Sequence, residues 1–273
     1  MARGKKKKTV KAKVVSNRKI AADHYVMELD CLYLGANFSP GQFVTVKVQD
    51  NATDPLLRIP LGVHALRKGG IKLLYKVVGP ATEILRLKKK GEALNVLGPL
   101  GNGFDLSVVS REKAFRAILV AGGHGVAPLY SLAEALVKRK IKTDIFIGAC
   151  ETKHVVCAKE FKKLGIKVTT ATEDGSRGCK GHVTDPLEKH LKKTADNGQS
   201  TAIFACGPRP MAAAVAKMAK KYQVPVQVSL DAYMACGTGA CLGCAIETVE
   251  GYKLVCKDGP VFDARQIKWE KLC

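Results

Sequence analysis

Cys236, Cys241, Cys244 and Cys256 fall in a Cys-x4-Cys-x2-Cys-x11-Cys pattern near the C-terminus. Thiolates spaced by four and then two residues, with a distant fourth, suit a loop that wraps a [2Fe–2S] cluster. Gly237, Gly239 and Gly243 lie between the first three, where bare backbone can turn its amides toward the sulfurs. A zinc site more often shows two Cys-x2-Cys pairs, or one pair joined by histidines, and a single such pair is present. The spacing favours iron–sulfur ligation over zinc and over four reduced structural thiols. The remaining cysteines, Cys31, Cys150, Cys157, Cys179, Cys206 and Cys273, are scattered.

Two further segments offer nucleotide chemistry. Ala121-Gly122-Gly123-His124-Gly125-Val126-Ala127-Pro128 joins a short apolar run to an amphipathic one, so Gly122, Gly123 and Gly125 with Ala127 and Pro128 form a turn whose amides can face a pyrophosphate. A glycine turn alone also serves tight packing, and this one departs from G-x-G-x-x-G. A second such end, Cys206-Gly207-Pro208, closes a later strand and opens a helix. In an open parallel sheet, ligands sit at the carboxyl ends of strands. His124 reads either as a phosphate or ribose contact or as a solvated bystander. Cys206 reads either as a neighbour of a nicotinamide ring or as a packing thiol. Glu151, after another strand, can accept ribose hydroxyls, while Arg177 or Lys153 can instead meet a 2′-phosphate.

The elements that must position these residues divide the chain into β plus α/β parts. Residues 1–105 carry a basic tail and then short β runs, such as Gln42 to Val48 and Ile71 to Val78, punctuated by Gly, Pro, Asn and Asp, the texture of a barrel or sandwich. Residues 106–228 alternate. Strands are expected at Ala117–Ala121, Lys142–Ala149, Lys167–Thr172 and Thr201–Cys206, and helices at Pro128–Lys140, Ala158–Lys163, Asp185–Lys193 and Met211–Tyr222, a doubly wound parallel sheet. Residues 229–273 hold all four clustered cysteines and are too few to fold around a core of their own without a metal staple.

Composition excludes disorder and collagen: 47% of residues are hydrophobic. Lys plus Arg number 45 against 24 Asp plus Glu, a net charge of +21 that first suggests an anionic partner such as nucleic acid. No reader motif or basic stretch interleaved with aromatics supports that, and aromatics are only 6%. Met1-Ala2-Arg3-Gly4 and Lys5 to Lys8 are followed by no apolar run of signal or membrane-span length, so a soluble, cytoplasmic protein with no membrane partner is expected.

Taken together, Met234 to Cys244, Val255 to Asp263 and Leu97-Gly98-Pro99-Leu100-Gly101-Asn102-Gly103-Phe104 resemble the ferredoxin–NADP reductase superfamily. Within it, the likeness is to electron-transfer subunits of class 1B dihydroorotate dehydrogenases, from about Val14 to Trp269. The resemblance implies an FAD-binding β-barrel, an NAD-binding α/β domain and a small [2Fe–2S] domain. Arg58-Ile59-Pro60-Leu61-Gly62 is similar to the family's flavin segment Arg-x-Pro-x-Ser, with Arg58 on the FAD phosphates and Gly62 where the family carries a hydroxyl. Leu74-Tyr75-Lys76 would edge the flavin, and Gly79-Pro80-Ala81-Thr82 matches a Gly-x-Gly-Thr phosphate turn with Ala81 for glycine. NAD would lie over Gly122 to Gly125 with its ring toward the flavin and Cys206-Gly207-Pro208. The implied partner is an FMN-containing dihydroorotate dehydrogenase catalytic subunit, in a heterotetramer. Small subunits of NADPH-linked ferredoxin oxidoreductases and of sulfide dehydrogenases share the architecture. Those relatives carry aspartate as first cluster ligand, and the thiol of Cys236 favours the dihydroorotate branch.

Overall fold

The computed structural model describes residues 7–49, 54–110 and 115–272; Lys5 and Lys6 of the basic tail and Cys273 lie outside the described residues. Six antiparallel strands close a barrel in the order β1-β2-β5-β4-β3-β6. These are β1 (Lys8–Ala21), β2 (His24–Asp30), β3 (Phe43–Lys47), β4 (Ile59–Arg67), β5 (Gly70–Lys76) and β6 (Ala93–Leu100). Alternate residues fill the interior: Met27 and Leu29 from β2, Val44 and Val46 from β3, Ile71 and Leu73 from β5, Leu94 and Val96 from β6. Two short helices, α1 (Leu32–Asn37) and α2 (Pro80–Arg86), lie between strands. Asn17 ties α2 down, its amide donating to the carbonyls of Leu85, Arg86 and Lys88 at 3.0 to 3.2 Å. The Arg86 and Lys88 carbonyls lie at and just past the end of α2, where intrahelical donors run out.

The chain then winds β7 (Arg116–Gly122), α3 (Val126–Lys138), β8 (Lys142–Ala149), α4 (Ala158–Lys163), β9 (Lys167–Thr172), β10 (Cys179–Lys180), α5 (Thr184–Asp196), β11 (Thr201–Cys206), α6 (Arg209–Lys221) and β12 (Val226–Ser229). The strands run parallel in the order β10-β9-β8-β7-β11-β12. From β7 the chain moves outward to β10 and then returns to β11 on the other side. Connections from β7 and β11 therefore leave in opposite directions, which opens a crevice at their carboxyl ends. Val126 and Ala127 already belong to α3, so the helix starts earlier than its apolar spacing suggests.

The C-terminal segment forms a hairpin, β13 (Ala245–Thr248) with β14 (Gly251–Leu254), and a last strand, β15 (Val261–Asp263). β15 pairs antiparallel with β12 and covers what would be an open sheet edge. Ile246, Val255, Phe262 and Ile267 share one core with Ile118, Val120, Leu187 and Val215 of the α/β part. The segment thus obtains apolar burial from its neighbour, where its length alone suggested dependence on a metal staple.

The opposite face of the sheet buries Leu119, Leu129, Leu132, Phe161 and Phe204. Contact with the barrel runs through α3. His64 on β4 stacks on Tyr130 at 4.6 Å and its Nδ1 lies 3.1 Å from the Ala127 carbonyl. At the amino end of the sheet, Arg116 Nη1 meets Asp144 Oδ2 at 2.6 Å, with the Asp144 side chain only 6% exposed. Removing the cation strands a buried carboxylate. We predict that Arg116→Met lowers unfolding free energy by about 2 kcal/mol, less than a fully buried pair because Arg116 is partly wet. An unchanged urea midpoint would show that the pair carries no stability.

Candidate redox and nucleotide sites

The crevice is built by bare backbone. A Cβ on Gly122 would stand 2.6 Å from Pro208 Cδ, and one on Gly125 would stand 2.1 Å from the Cys206 carbonyl oxygen. Only glycine lets the ends of β7 and β11 abut this closely. Gly123, at φ 53, has open space where its Cβ would be. A cleft of about 470 Å³ opens here, lined on the α/β side by Gly122, Gly123, Gly148, Pro208 and Met211, and on the barrel side by His24 and Lys76. That volume suits a small-molecule or cofactor site.

The residues expected to bind nucleotide separate into two groups. Gly122, Gly123 and Pro208 face the cleft. Gly125, Ala127, Pro128, Cys206 and Gly207 do not line it: Gly125 abuts the Cys206 carbonyl, while Ala127 and Pro128 meet the barrel at His64 and Gly62. Cys206 is 3% exposed, and burial pushes its thiol far up, which suits a packing residue. Glu151 is not among the cleft's lining residues; its carboxylate lies 2.5 Å from Lys153 Nζ and 3.5 Å from Nε2 of His154, which does line it. The acid that lines the cleft is Glu173, just past β9, 3.7 Å from Cys150 Sγ. Glu173, Cys150, His182, His154 and His24 carried no motif in the sequence; the fold assembles them.

The flavin segment is likewise divided. Arg58 donates to the Asn95 carbonyl at 2.9 Å and to its Oδ1 at 2.7 Å, beside β4 residues Ile59, Pro60 and Leu61, all partly buried. Gly62 faces Pro128, with nothing nearer than 3.7 Å to an added Cβ, so the absent hydroxyl leaves its space unfilled. Leu74 and Tyr75 are buried, and Tyr75 donates to Asn17 Oδ1 at 2.9 Å; of this trio Lys76 lines the cleft. Ala81 lies in the first turn of α2. Thr82 Oγ1 accepts from the Val78 and Gly79 amides and donates to the Gly79 carbonyl.

The cluster loop shows two thiol pairs. Gly237 and Gly239, at φ 68 and 92, curl the loop so that the Thr238 and Ala240 amides donate to Cys236 Sγ at 3.4 and 3.3 Å. The Thr238 amide leads in bringing the Cys236 thiol down to about 5, and Cys241 contributes, so these two thiols are neighbours. The Cys256 amide donates to Cys244 Sγ at 3.4 Å. Burial, and then Cys244, pushes the Cys256 thiol up to about 12. Among the described residues no three His, Cys, Asp or Glu converge as one ion's shell. Two pairs instead match a binuclear cluster with two protein ligands to each iron, and amides aimed at sulfur would stabilise its negative charge. The donor set therefore fits the [2Fe–2S] group.

The Gly98–Phe104 segment holds this loop. Asn102 donates from its amide nitrogen to the Gly259 carbonyl at 2.6 Å and from Nδ2 to the Asp258 carbonyl at 2.9 Å. Thr45 of β3 packs against Gly237, and Lys7 Nζ donates to the Thr238 carbonyl at 3.4 Å.

Residues 231–268 match the model of the iron–sulfur cluster binding domain of dihydroorotate dehydrogenase B, and residues 119–217 the oxidoreductase NAD-binding domain. The electron transfer subunit of dihydroorotate dehydrogenase B (NAD(+)) from Desulforamulus reducens is 36% identical over 269 residues, 96% of this chain and 99% of that one. The chain belongs to this family of electron-transfer subunits. Its counterpart from Geobacillus kaustophilus is 40% identical over 93% of this chain and 96% of its own. Among solved structures, the NADH-dependent reduced ferredoxin-NADP oxidoreductase is 31% identical with a TM-score of 0.82, covering 96% of this chain and 91% of that one. A ferredoxin NADP+ reductase from Neisseria gonorrhoeae, solved with FAD and NADP, shares the fold at 14% identity and a TM-score of 0.65, over 78% and 91%.

Two predictions follow from this geometry. Cys236→Ser and Cys241→Ser chains, reconstituted anaerobically, are expected to hold less than about half the wild-type iron, since a thiolate ligand is lost; unchanged iron would refute the ligand set. Glu173→Gln is expected to raise kcat/KM for NADPH relative to NADH by about tenfold, since a carboxylate at the cleft would repel a 2′-phosphate. An unaltered ratio would remove Glu173 from nucleotide selection.

Proposed function

We propose that the chain passes electrons between an FMN-containing catalytic subunit that oxidises dihydroorotate and NAD, as the electron-transfer subunit of an oxidoreductase of pyrimidine biosynthesis. The observation that carries this reading is a four-thiol loop built into the same core as a nucleotide crevice, in a chain aligned almost end to end with such subunits. Cys236, Cys241, Cys244 and Cys256 hold the [2Fe–2S] cluster. The segment from Arg58 to Gly62, Lys76, and the turn at Ala81 and Thr82 hold FAD on the barrel, and Gly122, Gly123 and Pro208 take the dinucleotide. When bound, the flavin supplies the conversion between hydride exchange at nicotinamide and single-electron exchange at the cluster.

The protein residues bind, orient and insulate. Glycine amides and the start of α3 offer donors to a pyrophosphate. Apolar packing of Cys244 and Cys256 shields one side of the cluster loop, while Cys241 stays exposed toward a partner. We place the protein in the cytoplasm, where the cysteines outside the cluster loop would stay reduced; among the described residues no helix is long and apolar enough to cross a membrane. A role as small subunit of an NAD(P)H-linked ferredoxin oxidoreductase is the second reading, favoured by the structural likeness over 96% of the chain.

The reconstituted chain alone is expected to show NADH diaphorase activity and no dihydroorotate oxidation. Its complex with the catalytic subunit is expected to reduce NAD+ when given dihydroorotate. Ferredoxin reduction by the native complex, without turnover of dihydroorotate, would replace this reading with the second.

A further inference from the structure

We infer that His24 is a binding residue for the nicotinamide half of the dinucleotide. His24 opens β2, hydrogen-bonded into the barrel between Ala21 of β1 and Lys76 of β5, so its backbone is fixed on both sides. Its side chain lines the cleft although only 1% of the residue is exposed, and neither ring nitrogen has a hydrogen-bond partner. The barrel's other buried histidine, His64, differs: its Nδ1 is satisfied by the Ala127 carbonyl. A buried imidazole left unpaired is costly, and a group that enters the cleft and pairs with it recovers that cost.

The cleft's layout identifies the group, given the reading that a dinucleotide occupies it. Glu173 and His182 mark the end beyond β9, where the carboxylate can accept the hydroxyls of the adenosine ribose. The glycines after β7 offer the pyrophosphate amides in the middle. The barrel end, where His24 stands beside the flavin-side residue Lys76, is left for the nicotinamide and its ribose. His24 is faced there by Asp23, Lys76, His124 and His154, the His154 ring standing edge-on at 6.3 Å. Burial leads these neighbours in holding the imidazole down to about 4, so it stays neutral at physiological pH, with one N–H donor and one acceptor nitrogen. Neutral donor and acceptor groups, a carboxamide or a ribose hydroxyl, are what such a ring can recognise; a phosphate would be better served by Lys76.

The test uses the full-length reconstituted chain and calorimetric titration with NAD+ and with 5′-AMP, which lacks the nicotinamide half. His24→Phe is expected to weaken NAD+ binding about tenfold and leave 5′-AMP binding unchanged, and His24→Gln to restore part of the loss. No change for NAD+, an equal loss for both ligands, or a loss of flavin content with NAD+ affinity intact would each overturn the assignment. Should His24→Phe fail to fold, the wild-type chain decides: the His24 ring nitrogen resonances shift on adding NAD+ and not on adding 5′-AMP, and static resonances overturn the proposal. If the wild type binds neither ligand, the dinucleotide reading of the cleft itself fails.

Discussion

The contact between the ends of β7 and β11 governs this molecule. Gly122 and Gly125 bring one strand end against the backbone of Cys206 and Gly207, closer than any side chain allows. The two following helices then leave in opposite directions and the crevice opens between them. α3, started by the same turn, carries Ala127, Pro128 and Tyr130 onto β4, where His64 and Gly62 receive them. One bare-backbone contact thus sets the nucleotide loop, the cleft and the seating of the barrel.

The cluster loop depends on the same frame from the other side of the sheet. It cannot bury enough apolar surface by itself, and β15 solves this by pairing with β12 and delivering Phe262 into the sheet's core. The barrel contributes a second anchor, Asn102, whose amide and side chain hold the loop after Cys256. Asp231, at the start of the C-terminal segment, stands 3.6 Å from His124 of the nucleotide turn. Cluster loop, barrel and crevice are therefore parts of one packed unit, which suits electron exchange between groups held at fixed separation.

Much of this was legible in the sequence because it depends on local chemistry. Cysteine spacing points to a cluster loop without a fold, and runs such as Lys142–Ala149, Lys167–Thr172 and Thr201–Cys206 become strands with those bounds. What escaped depends on tertiary pairing. His24 and Lys76 are far apart in sequence and adjacent only because β2 pairs with β5. Glu151 and Glu173 both follow strands, yet the first pairs with Lys153 and His154 while the second lines the cleft. Tyr75, expected beside the flavin, points into the barrel because Asn17 offers its hydroxyl a partner there.

The two thiol pairs differ in a way that gives the loop a direction. Cys244 and Cys256 are 3% and 1% exposed and share the sheet's core, whereas Cys241 is exposed and Cys236 partly so. Cys244 and Cys256 would hold the cluster from low-dielectric protein, and Cys236 and Cys241 from the surface side. Exposed Tyr233 and Leu242 flank that outer side, an apolar rim where a partner can exclude water. Backbone amides converge on the Cys236 sulfur at the outer end, and each favours extra negative charge there. Burial of the inner pair opposes added charge. A cluster held by these four thiols would thus meet amide donors on the side of Cys236 and Cys241 and apolar packing on the side of Cys244 and Cys256.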